Sequence, residues 1–208
     1  MQLIPKPERN GSSVGRPSNS GKSVEPSISG FVESPSYIPS SYQIDESPHD
    51  RVIVFIDGSN LFYAALNLGI EIDYTRLLQC LVRNRKLVRS YFYTGVDRTN
   101  EKQHGFLLWM SRNGYRVVSK ELLQMPDGSK KANLDVEIAV DMLAMAGVYD
   151  TAVLVSGDGD LAYAANAVAY KGVQVEVVSL QSMTSDCLLQ VADRYTDLAS
   201  IQQAIAKS

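Results

Sequence analysis

Five short apolar runs, rich in β-branched and aromatic residues, alternate along the chain with stretches whose apolar residues recur at helical spacing. Val52–Ile56 and Thr151–Val155 are apolar throughout apart from Thr151, the pattern of strands covered on both faces. Leu87–Tyr93, Tyr115–Ser119 and Val173–Val178 read as three more strands. Between them, Leu61, Phe62, Ala65, Leu66 and Leu68 lie mostly on one face of a helix that Ser59 can cap, and Asp73 caps a second helix through Leu77, Leu78, Leu81 and Val82. Thr99–Asn113 reads as a third helix, offering Phe106, Leu107, Trp109 and Met110 to a core. Asn133 caps a helix over Leu134–Ala146, Asp160–Tyr170 is the next, and two short helices near Ser185–Ala192 and Asp197–Ala206 close the chain. Met125-Pro126-Asp127-Gly128 is a turn signature, which makes Glu121–Lys131 a projecting loop or hairpin. Strands alternating with helices imply an α/β fold, a central five-stranded, mostly parallel sheet with helices on both faces.

The pattern begins only at Arg51. Residues 1–50 hold seven of the eight prolines and twelve serines, with few large apolar residues. Such a tail buries too little surface to offset its conformational entropy, so it is expected to be disordered. Its Ser-Pro pairs and Tyr37/Tyr42 offer docking or modification points for a protein partner. The chain therefore divides into a tail, 1–50, and one domain, 51–208.

Composition narrows this picture modestly. A net charge of −3 advertises no overall basic field, though a local basic groove is compatible with it. Cys80 and Cys187 sit in apolar helical patterns and read as reduced core thiols. No apolar run reaches membrane-spanning length, and the amino terminus lacks the apolar core of a signal peptide, so a cytoplasmic protein without membrane contact is expected.

The chemistry lies at the ends of two strands. Val52–Ile56 runs into Asp57-Gly58-Ser59-Asn60, and Thr151–Val155 into Ser156-Gly157-Asp158-Gly159-Asp160. In a doubly wound sheet, sites form beyond the carboxyl ends of the strands, where strand order reverses. If these two strands are neighbours, Asp57, Asp158 and Asp160 share that crevice. The helix before the second strand must run antiparallel to the sheet, which sets Asp135, in its first turn, over the same end. Asp141 is about 9 Å further along that helix and points about 120° away, so it ranks lower. Carboxylates crowded to about 5 Å repel by roughly 3 kcal/mol each pair at an effective dielectric near 20, a burden a fold relieves with a cation. All-oxygen ligands suit Mg²⁺ or Mn²⁺. Each acid taken singly also fits a plain structural role in a glycine turn or a helix's first turn.

Three motifs in order, Ile56-Asp57-Gly58-Ser59-Asn60, Asp135-Val136-Glu137-Ile138-Ala139-Val140-Asp141-Met142 and Ser156-Gly157-Asp158-Gly159-Asp160, resemble the signature of NYN domains of the LabA-like kind, within the PIN-like nuclease superfamily. The carboxyl end, Ser185…Leu188…Ala192-Asp193…Tyr195…Asp197-Leu198, is similar too. The resemblance covers Arg51 to Leu198 and implies a PIN-like Rossmannoid with a five-stranded parallel sheet. It further implies a divalent-metal-dependent ribonuclease with Asp57, Asp135, Asp158 and Asp160 as the acidic constellation and metal ligands, and Asn60 and Ser156 as polar supports. Asn133 stands where the family usually has glycine, a change a helix-capping residue accommodates.

Rival chemistries fit less well. An aspartyl-phosphate enzyme needs a second acid at the position of Ser59, and no Gly-x-Gly-x-x-Gly follows the first strand. The serious alternative is a weakly active or inactive regulatory module that binds RNA or a protein partner. Candidate phosphate contacts are Arg83–Lys86, including Arg85, then Arg98 with Lys102, and Lys130-Lys131, the last preferred because it adjoins Asp135.

Overall fold

The computed structural model describes residues 49–124, 128 and 130–207. The expected tail, residues 1–50, lies outside these except for its last two residues. Asp50 already belongs to the fold: its carboxylate accepts a hydrogen bond from the Thr151 hydroxyl, and its carbonyl accepts one from the Lys86 amide.

The chain runs β1 (Arg51–Asp57), α1 (Gly58–Leu68), α2 (Tyr74–Val82), β2 (Lys86–Val96), α3 (Glu101–Arg112), β3 (Tyr115–Glu121), β4 (Leu123–Gln124) and β5 (Lys130–Lys131). It continues through α4 (Asp135–Met145), β6 (Thr151–Val155), α5 (Ala162–Ala169), β7 (Gln174–Ser179), α6 (Asp186–Val191), β8 (Arg194–Asp197) and α7 (Leu198–Ile205). The main sheet has the order β3-β2-β1-β6-β7-β8, and every pairing in it is parallel. β4 and β5 pair antiparallel within the stretch expected to form a projecting loop or hairpin, while Met125, Pro126 and Asp127 of the turn signature lie outside the described residues.

The α/β class and parallel sheet are as the hydrophobic pattern implies, with one strand more than expected. β8 is the sixth, a four-residue edge strand beside β7. Its residues are only half-buried, so no continuous apolar run marked it in the sequence.

The apolar run of β1 is explained by its two faces. Val52, Val54 and Ile56 join a core with α1, α2 and α7 through Leu61, Leu77, Leu81 and Ile205. Ile53 and Phe55 join a second core with α4, α5 and α6 through Ile138, Met142, Ala165 and Leu188. Strand order reverses between β1 and β6, because the chain winds outward from β1 through β2 and β3 on one side and from β6 through β7 and β8 on the other. Ile56 is level with Val155, so Asp57 and Ser156 leave the sheet side by side. Among the described residues, no helix is long and apolar enough to cross a membrane.

α3 packs less deeply than its pattern implies. Of its four apolar candidates only Met110 is fully buried, and Trp109 is 41% exposed. On α1, likewise, Leu61, Ala64 and Ala65 face the core, while Phe62 and Leu66 point outward.

Candidate functional site

Asp57 ends β1 in extended conformation and caps α1 itself: its Oδ1 accepts the Ser59 amide at 3.0 Å and the Asn60 amide at 3.1 Å. The cap expected at Ser59 is thus made two residues earlier, which fixes the carboxylate at the mouth of the crevice. Gly58 is required there, since a Cβ would stand 2.7 Å from the Tyr93 carbonyl oxygen. Asp57 Oδ2 accepts the Ser156 hydroxyl at 3.2 Å. Burial nevertheless holds the Asp57 pKa above the ordinary carboxylate value, outweighing these three hydrogen bonds, and the charge of Asp158 adds to the rise.

The loop after β6 is locked to this turn. Ser156 is buried, and while donating to Asp57 it accepts the Asp158 amide at 3.1 Å. Asn60 Oδ1 accepts the Gly157 amide at 3.0 Å, joining the two strand ends directly. Asp158 Oδ1 accepts the Asp160 amide at 3.0 Å and caps the helical turn Gly159–Leu161. The carboxyl-terminal segment closes the loop from outside, with the Ser185 amide donating to the Gly157 carbonyl at 3.0 Å. A Cβ on Gly157 would fall 2.3 Å from the Met183 carbonyl oxygen. Gly157→Ala is therefore expected to push this segment off the loop at a cost of about 1–3 kcal/mol, read by urea unfolding.

α4 brings the third group. Leu134 stands at its amino cap without a side-chain cap bond, so the cap expected of Asn133 is not made in that form. One residue further out, Asn133 Oδ1 accepts the Asp135 amide at 2.8 Å and its Nδ2 donates to Asp135 Oδ2 at 2.6 Å, orienting the carboxylate. One oxygen from each of Asp135, Asp158 and Asp160 can be chosen so that all lie within 4.8 Å of one another. Asp57 flanks this triplet without joining it, its own oxygens held by the loop. The Asp135 pKa is raised, first by burial and then by the charges of Asp158, Asp57 and Asp160, against the hydrogen bond from Asn133. Asp141 does not join: its carboxylate accepts the buried Tyr93 hydroxyl at 2.9 Å, and burial together with Asp141 pushes that phenol well above its usual pKa.

The basic candidates divide. Lys131 is exposed on β5, and Lys130 pairs through its backbone with Gln124. Arg98 pairs with Glu121. Arg85 is not brought to the site at all. It precedes β2 at the opposite, amino-terminal edge of the sheet, with its side chain 1% exposed in a two-pronged ion pair with Glu176 at 2.9 and 3.0 Å. Cys187 is exposed rather than in the core, its thiol 3.6 Å from the Gly159 carbonyl. The sequence reading missed Lys120, whose ammonium donates to the Asn133 carbonyl and to Glu137 Oε1 at 2.7 Å, and so ties β3 to the start of α4. It lines a shallow cavity of about 460 Å³ with Asn133, Asp135 and Asp160. Its signal was its place at the carboxyl end of a parallel strand.

Comparison with known proteins bears on the family and the fold. Residues 51–199 match the family model of the NYN domain. The chain is 37% identical over 166 residues to the low amplitude and bright protein LabA of Synechococcus elongatus, covering 76% of this chain and 89% of that protein. The crystal structure of a Vibrio parahaemolyticus protein of unknown function superposes with a TM-score of 0.67 at 24% identity, covering 78% of this chain and 98% of that one, a likeness of fold.

Proposed function

This chain belongs to the NYN domain family, in the PIN-like nuclease superfamily, and from that premise we propose that it is a divalent-metal-dependent ribonuclease of the cytoplasm that hydrolyses RNA phosphodiester bonds. The observation that carries the reading is the convergence of Asp135, Asp158 and Asp160 within 4.8 Å, with Asp57 alongside. Crowded acids of this kind, two of them with raised proton affinity, weaken a fold unless a cation offsets them.

The residues present fit Mg²⁺ or Mn²⁺: the donors are all carboxylate oxygens, and their separations approach the spacing of ligands about 2.1 Å from a common centre. Asp135, Asp158 and Asp160 would hold the ion, with Asp57 adding a fourth negative charge from the strand side. Such an ion supplies Lewis acidity to a phosphoryl oxygen and lowers the pKa of water.

The chain's own residues set the geometry. Asn133 fixes the rotamer of Asp135, and Ser156 and Asn60 hold the two strand-end loops in one register. Asn60 uses its Oδ1 for Gly157, which leaves its Nδ2 hydrogens to meet a phosphate oxygen. Lys131, exposed on the hairpin four residues before Asp135, would position the RNA backbone without reading sequence, with Lys130 beside it in the chain.

The test is incubation of the purified protein with end-labelled RNA in Mn²⁺ or Mg²⁺, in chelator, and with Asp158→Asn as a control for contaminating nuclease. Cutting that requires the metal and is lost in the variant supports the reading. RNA retained but left intact by the wild type would overturn it in favour of a non-cutting RNA-binding module.

A further inference from the structure

α1 starts at the acidic site and, one turn on, presents two aromatic rings to solvent. Phe62 and Tyr63 are 56% and 57% exposed, their rings edge to face with centroids 5.5 Å apart. The helix is anchored by Leu61, Ala64 and Ala65, so these two rings add little to the core. They border a cleft of about 450 Å³ between α1, the end of β2 and α3. The lining begins at Gly58, Ser59 and Thr94, beside the turn that holds Asp57, and contains no charged side chain. A second cavity, of about 760 Å³, shares Phe62, Tyr74 and Phe106 with the first and continues to Trp109.

We propose that this cleft is a base-stacking subsite, in which an unpaired base of single-stranded RNA, next to the phosphodiester at the acidic cluster, rests on Phe62 and Tyr63. The proposal builds on the nuclease reading and names its substrate class. Continuity with the site argues for a nucleic-acid occupant. From Ser59 to Phe62 the helix rises about 4.5 Å, comparable to the roughly 3.4 Å between successive nucleotides of a stacked strand. A ring face held by an uncharged cleft suits a base, whose stacking needs no countercharge. A paired base inside a duplex cannot offer its face, so the strand must be single. The rim also predicts little sequence preference. Gln103 spends its side-chain amide on the Gly95 carbonyl and the Asp97 backbone amide and is committed to the protein's backbone, while Asn100 commits only its Oδ1, to the Gln103 backbone amide.

The experiment uses the full-length protein and single-stranded oligonucleotides carrying a fluorescent purine analogue at successive positions, titrated in chelator so that nothing is cut. Stacking should quench the analogue strongly at one position. The double variant Phe62→Leu/Tyr63→Leu, which keeps apolar bulk but no ring, should lose that quench and bind about tenfold more weakly. Its melting temperature and its metal-dependent hydrolysis of a small phosphodiester lacking a neighbouring base should match wild type. Unchanged quench and affinity in the double variant would overturn the subsite, as would equal binding of duplex and single strand. A wild type that cuts no phosphodiester at all, yet shows the positional quench, would sink the nuclease reading and leave the subsite standing.

Discussion

Replacing Asp135 by Asn is expected to cut RNA cleavage by about a thousandfold or more while slightly raising the melting temperature of the metal-free protein. The two effects have one cause. Asp135 is held near three other carboxylates, and its raised pKa means that its charged form is less welcome in the folded chain than in the unfolded one. Asparagine keeps the geometry, because its Oδ1 can still accept the Asn133 amide that now bonds to Asp135 Oδ2. What disappears is the charge, together with one metal ligand of the proposed site. Loss of a group that acts only on the developing transition state costs on the order of 4 kcal/mol, which is about a thousandfold in rate. The thermal gain is small, about 1–2 °C, since the carboxylate is only half-buried and is favourably placed at a helix amino terminus.

The sign with pH follows. A carboxylate whose folded pKa lies above its unfolded value binds more protons in the native state between the two values. Stability therefore falls as pH rises through that window, and the loss is complete above the folded value. Asp57 and Asp135 both behave this way in the metal-free protein. Melts in chelator from about pH 4 to about pH 7 should show Asp135→Asn gaining on wild type as pH rises, with the two converging toward acid. A variant less stable than wild type throughout that range would mean the acids are not crowded, and the case for a cation would go with it.

The convergence of the acids was legible in the chain because their carriers obey local rules. Val52–Ile56 and Thr151–Val155 announce buried strands, each broken by glycine after a polar residue, and the switch-point rule then puts their acids together whatever the outer strands do. Ser59 alone read as the cap, and the structure makes it at Asp57, two residues earlier, with Gly58 lying too close to the Tyr93 carbonyl for any side chain. Trp109 and Phe62 were misplaced for a shared reason. Helical periodicity says which residues share a face, not how far that face is covered, and α3 lies over the edge strand β3, where cover is incomplete. Cys187 sits in an apolar pattern on the six-residue α6, of which only Leu188 is fully buried. Arg85 was illegible altogether, since Arg83-Asn84-Arg85-Lys86 reads as a solvated run and its partner is 91 residues away.

That partner sets the last expectation: Glu176→Ala should destabilise the protein by about 3–5 kcal/mol, or roughly 10 °C in melting temperature, without changing cleavage by the molecules that remain folded. Arg85 and Glu176 have side chains 1% and 7% exposed, and two hydrogen bonds join them. Removing the acid leaves a guanidinium in the interior with the Leu81 carbonyl at 2.7 Å, the Val82 carbonyl at 3.3 Å and Asp50 at 3.5 Å, too little to offset its lost hydration. Arg85→Met should cost less, because Glu176 keeps Arg194 at 3.6 Å and that arginine is partly solvated. The double variant Arg85→Met/Glu176→Met should recover most of the loss, since a buried pair replaced by apolar groups of similar volume often holds as well as the pair. Urea unfolding of the four proteins reads the coupling directly. Binding of RNA by the double variant then decides between two roles for Arg85. At unchanged affinity it is a strut at the amino-terminal edge of the sheet, whereas a tenfold weaker RNA complex with the fold intact would return it to the list of phosphate contacts and move the RNA path across that edge.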